Sequence, residues 1–213
     1  MAKKLILVRH GESVWNYQNK FTGWADINLT KYGEKQAIET GGILLKNNII
    51  PKVTFTSTLR RSINTNDLIL KQFNNSDIKT IKSWRLNEKH YGKLTGYIRN
   101  KDIKWKGEYF DIPPIISSLK DIDYNINKYY NPIFGESYYM TWLRLFPIWK
   151  LIYLDILNNN IPMVCAHKNS LKVIITYLEN RDVSKINNID IPNAQPIIYE
   201  FDKNMNIIKK III

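Results

Sequence analysis

Three histidines occur in the 213 residues of this chain, and two of them stand where apolar runs that read as strands end. His10 follows LILVR and His167 follows MVCA, so in each case a branched, buried type of run empties into polar residues. Arg9 lies directly before His10, and a guanidinium is the natural bidentate partner of a phosphate. An imidazole beside fixed cations loses proton affinity, so a ring of reference pKa ~6.5 is expected to be neutral, and nucleophilic, at neutral pH. Successive strand residues face opposite ways, so Arg9 and His10 can reach one ligand only if the chain turns there, and Gly11 permits that turn. Residues 12–16 then offer backbone N–H groups, the Ser13 hydroxyl and the Asn16 amide to an anion. After His167 the pattern repeats, with Asn169 and Ser170 at the start of a helix. In TSTLRRSINT, Arg60 and Arg61 follow a strand and open a helix, a place from which a side chain can point across the sheet edge. The third histidine, His90, lies in LNEKHYG beside Glu88 and reads by itself as structural. Together these residue types point to transfer of a phosphoryl group through histidine, with fixed cations holding the anion.

Other phosphate chemistries lack their parts. The sequence contains no GxxxxGK[ST] loop and no GxGxxG, and six places after Cys165 comes Leu171 where a cysteine phosphatase needs arginine. No Cys, His and carboxylate spacing suits a metal, so transfer without one is expected. Cys165, the one cysteine, sits in the apolar run MVCA and reads as packing.

The elements that must position these groups alternate. Strands are expected at 5–8, 53–57, 78–81, 163–166 and 197–201, all short and rich in branched residues. Helices are expected from Thr30 to about Asn47, after a capping Ser57 through Leu59, Ile63, Leu70 and Phe73, from Ser137 to Leu157 with a kink at Pro147, and after Asn169. Strands alternating with helices give an α/β fold, a three-layer sandwich around a mostly parallel sheet. In such sheets ligands gather at the carboxyl ends of strands, where Arg9 and His10 fall. The stretch from about 95 to 135 is aromatic, charged and punctuated by Pro, without a clear period, and reads as a surface excursion of one domain spanning 1–213.

A formal net charge of +12 raises the question of nucleic acid, but the basic residues are spread along the chain rather than clustered, so no nucleic-acid role is expected. A small anionic substrate would profit from the same field. The start MAKKLILVRHG is too briefly apolar for a signal peptide or membrane span, and the final KKIII is equally short, so a cytoplasmic setting without membrane attachment is expected.

LVRHGESVWN, FTGWADINLT, TSTLRRSINT, LNEKHYGKLTG, AHKNSL and IPNAQPIIYEFD, in that order along most of the chain, resemble the cofactor-dependent phosphoglycerate mutases of the histidine phosphatase superfamily. RHG marks the superfamily, whereas FTGW and LNE-x-HYG-x-L-x-G are more specific to the mutase branch. The resemblance implies that His10 carries the phosphoryl group, that Glu88 donates and accepts protons, and that His167 stabilises the transferring charge. It makes Arg9, Asn16 and Arg61 the holders of that phosphate, and Ser13, Thr22, Gly23, Tyr91 and Arg99 further pocket residues, with Arg99 where the family usually has lysine. Asn169, Lys168 and Lys106 join the substrate-binding set. It also implies interconversion of 3-phosphoglycerate and 2-phosphoglycerate, priming by 2,3-bisphosphoglycerate, no metal, and a homo-oligomer, dimer or tetramer. The alternatives are a phosphomonoesterase of the same superfamily and a degenerate, non-catalytic binding domain.

Three departures from that pattern bear on activity. Lys168 replaces a glycine, and either strains a glycine-only conformation or adds a phosphate contact. Lys106 and Gly107 stand where the family has Arg-Arg before its Pro-Pro pair, here Pro113 and Pro114, so one clamp is expected to be lost. The chain stops soon after its last expected strand, without the tail that closes over the site in longer members. A more exposed phosphohistidine, and more hydrolysis of bisphosphoglycerate relative to mutase turnover, is the expectation.

Overall fold

A computed structural model describes residues 2–73, 77–99 and 135–213. Its six strands are β1 (Lys3–Arg9), β2 (Val53–Thr56), β3 (Lys79–Lys82), β4 (Pro162–Ala166), β5 (Pro196–Phe201) and β6 (Ile207–Ile212), joined in one sheet of order β3-β2-β4-β1-β5-β6. β1, β2, β3 and β4 run parallel, and β5 runs antiparallel to both of its neighbours, β1 and β6. The mostly parallel sheet is thus as expected, whereas β6 is not anticipated. It is an edge strand whose exposed Lys209 and Lys210 hide its period-two pattern.

The described α-helices are α1 (Val14–Tyr17), α2 (Lys31–Lys46), α3 (Arg60–Leu70), α4 (Tyr138–Leu157) and α5 (Lys168–Leu178). Two separate cores show that helices cover both faces. Leu5 and Leu7 of β1 pack with Leu145, Trp149 and Ile152 of α4 and Leu171 and Ile174 of α5, while Ile6 and Val8 pack with Ala37 and Leu44 of α2 and Ile69 of α3. Alternate residues of one strand therefore feed opposite layers. The caps follow local chemistry: Thr30 accepts from the Gly33 N–H at 3.0 Å, and Ser137 from the Met140 N–H at 3.1 Å. The helical span of α4 runs through Pro147. Most of the excursion expected at 95–135 lies outside the described residues, as do Lys106, Gly107, Pro113 and Pro114.

Two expectations about helix starts need correction. Ser57 does not cap α3; the N-cap is Leu59, and the Arg60 N–H is taken instead by Asp26 Oδ1 at 2.7 Å. α5 begins at Lys168, with His167 as its N-cap, rather than after Asn169.

Candidate active site

Parallel register brings the two strand-end histidines together. Arg9 of β1 sits opposite Ala166 of β4, and the His10 N–H donates to the Ala166 carbonyl at 2.9 Å, so the residues that leave the two strands emerge side by side. The rings of His10 and His167 lie 4.9 Å apart, edge to face. On the far side of β4, Thr56 of β2 pairs with Cys165, which places Ser57 next to His167; its Oγ lies 2.8 Å from His167 Nε2.

Hydrogen bonds fix the tautomers. His10 Nδ1 lies 2.7 Å from the Gly11 carbonyl, an oxygen that can only accept, so Nδ1 carries the proton and Nε2 keeps its lone pair. Ser57 Oγ accepts from the Leu59 N–H at 3.2 Å and, among the described residues, finds no acceptor other than His167 Nε2 for its own hydrogen. That assignment leaves the His167 N–H on Nδ1, a fully buried atom with no partner among the described residues. Burial first, then the charges of Arg61 and Arg9, hold His10 well below the usual imidazole value; burial and then Arg61 do the same for His167. Both rings are neutral at physiological pH.

Gly11 works by close approach rather than by a left-handed turn. A Cβ there would meet the Gly33 carbonyl oxygen at 2.3 Å, because the loop after β1 lies directly on the first turn of α2. The Gly11 N–H donates to Thr65 Oγ1 of α3 at 3.0 Å, which ties the same loop to a second helix.

Around His10 opens a cavity of about 270 Å³. Of the residues that the sequence singles out, Arg9, Asn16, Thr22, Arg61, Glu88, Tyr91, Arg99, Lys168 and Asn169 line it together with His10. Ser13, Gly23 and His167 stand one layer back. Ser13 is the N-cap of α1, exchanging hydrogen bonds of 3.2 Å with Asn16, whose side chain meets the cavity in its place. Gly23, at a φ of 51°, adopts the left-handed conformation that turns its carbonyl to Arg61. Arg61 is 1 % exposed and donates to the Gly23 and Ala25 carbonyls at 2.7 Å each, while Arg9 donates to the Ile191 carbonyl at 2.8 Å. In both guanidinium groups Nε is buried without a partner among the described residues, as is Thr22 Oγ1. Guanidinium donors left unpaired beside a cavity lined mainly by cations are what an oxyanion would satisfy.

Glu88 is set opposite by a buried scaffold. Its Oε1 accepts from the Lys89 N–H at 2.8 Å and the Asn169 N–H at 3.1 Å. Its backbone carbonyl accepts from Trp24 Nε1 at 2.6 Å and from Arg144 at 2.9 Å. Arg144 is paired with Glu136 at 2.6 Å, both side chains fully buried, and also binds the Arg85 and Asn87 carbonyls, so one guanidinium pins the whole run from 85 to 88. FTGW and LNE-x-HYG are therefore one unit: the first segment supplies the indole and the turn that hold the second.

His90 is structural, as its sequence context suggests: its Nδ1 accepts from the Gly92 N–H at 2.9 Å, and its ring meets Trp24 edge-on. Cys165 is buried, with its thiol pushed up to about 12, which fits packing. Arg60 faces outward and pairs with Asp26 at 2.9 Å, so only its neighbour Arg61 belongs to the site. Lys168 is the first residue of α5 and has no left-handed backbone, so the position does not demand glycine; its ammonium pairs with Asp190 at 2.9 Å. Lys89, Lys172, Tyr138 and Asn187 line the cavity without having been singled out in the sequence. Of these, Lys172 lies one helical turn beyond Lys168, a spacing that could have pointed to it but does not set it apart in so basic a chain.

Among the described residues no helix is long and apolar enough to cross a membrane. The chain is 40% identical over 223 residues, covering 97% of this chain and 96% of the relative, to a protein of Blochmanniella floridana named 2,3-bisphosphoglycerate-dependent phosphoglycerate mutase. Proteins of the same name from Buchnera aphidicola subsp. Cinara cedri and Staphylococcus haemolyticus are 41% and 38% identical, covering 93% and 96% of this chain and 94% and 97% of their own lengths. Among solved structures, a mycobacterial hydrolase covers 100% of this chain and 97% of its own at a TM-score of 0.72 and 18% identity, a likeness of fold. The profile of the histidine phosphatase superfamily, branch 1, matches residues 5–213, and the chain belongs to that superfamily.

Proposed function

We propose that the chain interconverts 3-phosphoglycerate and 2-phosphoglycerate through a phosphorylated His10. The observation that carries this reading is the His10 ring: its Nδ1 is committed to the Gly11 carbonyl, and its lone pair on Nε2 belongs to a cavity with unpaired donors on Arg9, Arg61 and Thr22. The likeness to relatives named for dependence on 2,3-bisphosphoglycerate supports the choice of substrate and of priming donor. When bound, that compound supplies the first phosphoryl group for His10, and the donors just named fit such an anion.

The chain's own residues then do the following. A phosphoryl group on Nε2 has its oxygens held by the Arg9 and Arg61 guanidinium groups and the Asn16 amide, and His167, set behind the cavity lining with its ring 4.9 Å from that of His10, adds its uncommitted Nδ1–H as a further donor. A substrate hydroxyl attacks phosphorus in line, the new P–O bond forming as the N–P bond breaks and returns its electron pair to Nε2. The carboxylate of Glu88 takes the hydroxyl proton. In the reverse sense Nε2 attacks phosphorus, the P–O bond breaks, and the Glu88 carboxyl returns the proton to the leaving alkoxide. Retention of the bisphosphorylated species while it turns over makes a mutase of what would otherwise be a phosphatase. On this reading the enzyme is a single-domain homo-oligomer, a dimer or tetramer, acting in the cytoplasm.

Incubation with 2,3-bisphosphoglycerate is expected to place acid-labile phosphate on His10, read by intact mass, and 3-phosphoglycerate to discharge it with formation of the 2-isomer. Labelling that persists in His10→Ala overturns the nucleophile, and inorganic phosphate as the sole product overturns the mutase reading.

A further inference from the structure

The cavity carries more positive charge than one phosphoryl group calls for. Among its described lining residues are six cationic side chains and one carboxylate, Glu88. Two of the cations, Arg9 and Arg61, have their guanidinium groups beside His10. A second group lies on α5 and the segment after Glu88. Lys168 and Lys172 are four residues apart on α5, hence on one helix face. Lys172 is 5 % exposed, and its ammonium donates to the Asn187 carbonyl at 3.0 Å. Asn187 meets the Tyr138 hydroxyl at 2.8 Å, and the Lys89 ammonium lies over the Tyr138 ring, 4.6 Å from its centroid. Lysines, Asn187 and Tyr138 thus form one continuous wall.

We infer that Lys168 and Lys172, with Lys89 beside them, form a second anion subsite that receives the non-transferring phosphate or carboxylate of a doubly anionic substrate while His10 holds the transferring group. The inference rests on the proposed mutase function and adds to it the residues that choose a bis-anion over a monophosphate. Three ammonium groups crowded into a partly dry wall repel one another; burial first, then the Lys168 charge, lower Lys172 to about 8, and burial lowers Lys89 to about 8. An anion between them relieves that repulsion. Asp190, 77 % exposed at the rim and paired with Lys168, neutralises part of the wall in the free enzyme and competes with the ligand for the same ammonium.

The test uses competitors that cannot transfer phosphate. Phosphoramidate labels His10 by a route that needs only the first subsite, and methylphosphonate and ethane-1,2-diphosphonate are titrated as competitors of that labelling. The wild-type chain is expected to bind the diphosphonate at least tenfold more tightly than methylphosphonate. The double variant Lys168→Ala/Lys172→Met should lose most of that preference while its affinity for methylphosphonate changes less than threefold. Should the buried Lys172→Met change prevent folding, Lys168→Ala alone, at a half-exposed position, should lower the preference about threefold, and Asp190→Asn should raise it. An unchanged preference in Lys168→Ala, or an equal loss for both probes, overturns the subsite. Mutase turnover measured on the same samples keeps the two readings apart: a diphosphonate preference that depends on Lys168 in a chain without mutase activity sinks the proposed function and leaves the subsite standing.

Discussion

On the β1–β4 side of the cavity the cations are guanidinium groups anchored to backbone carbonyls, Arg61 to Gly23 and Ala25, Arg9 to Ile191. On the α5 side they are ammonium groups, point charges on long stems, one of them already paired with a rim carboxylate. The first wall has one geometry available; the second tolerates several. The difference matches what each must do. A phosphoryl group in flight needs donors aimed in advance at its equatorial oxygens, because any reorganisation would add to the barrier. An anionic group that does not react needs charge nearby, and a substrate that must be held in two orientations is better served by charges without a fixed fork.

Exchanging one cation for another is the strongest way to break this comparison. Arg61→Lys keeps the charge but loses the planar fork that holds both carbonyls while aiming a further donor, so turnover is expected to fall about 10²-fold to 10³-fold. Lys168→Arg on the α5 side should cost about threefold or less, within the scatter of a rim contact. Steady-state rates of the two variants, measured side by side, decide the matter. A loss at Arg61 no larger than at Lys168 would show that charge, rather than aim, is what the inner wall provides.

A smaller effect is expected from the residue that sets the His167 tautomer. Ser57→Ala removes the hydroxyl that supplies a hydrogen to Nε2 and frees the ring to carry its proton there, pointing away from the site. The rate should fall about tenfold to 10²-fold, less than for loss of a direct donor. Ser57→Thr, which keeps the hydroxyl, should recover most of it. Failure of the threonine variant to recover activity would make Ser57 a packing residue.

The inner wall was legible in the sequence because its residues lie at fixed offsets from strand ends: Arg9 and His10 leave β1, His167 leaves β4, and Arg61 is the second residue of α3, soon after β2. Parallel register converts those offsets into proximity with no further information. Glu88 was legible only through its motif, since its position depends on Trp24, Arg144 and Glu136, which are distant in sequence and give no local sign of meeting. The lysine wall was mostly illegible. Lys89 and Lys172 look like any other lysine in a basic chain until tertiary packing turns them inward, and Asn187 and Tyr138 are recruited from segments whose own patterns say nothing of a site. Ser57 was assigned to the wrong partner for a related reason: a serine before a helix is usually a cap, and only the strand pairing shows that a histidine claims its hydroxyl.

The smallest expected effect concerns the cost of keeping two neutral histidines under guanidinium groups. In the folded chain both His10 and His167 lie well below their ordinary value of 6.5, and burial is the larger cause in each. The unfolded chain therefore binds more protons than the folded one below about pH 6.5, so the stability these rings allow is fully present above that value and is lost as the pH falls below it. Each histidine that stays neutral in the fold steepens the decline by up to about 1.4 kcal/mol per pH unit. Urea midpoints taken between pH 8 and pH 5 are expected to fall more steeply for the wild-type chain than for His167→Asn, which has no such proton to refuse. The lysine wall supplies the internal control. Lys172 is lowered only to about 8, so below pH 6.5 it is charged in folded and unfolded chains alike, and Lys172→Met should leave the slope there as it is. Parallel slopes for the wild-type and His167→Asn chains would mean that the folded site admits a proton, and with it that the inner wall is less rigid than its hydrogen bonds imply.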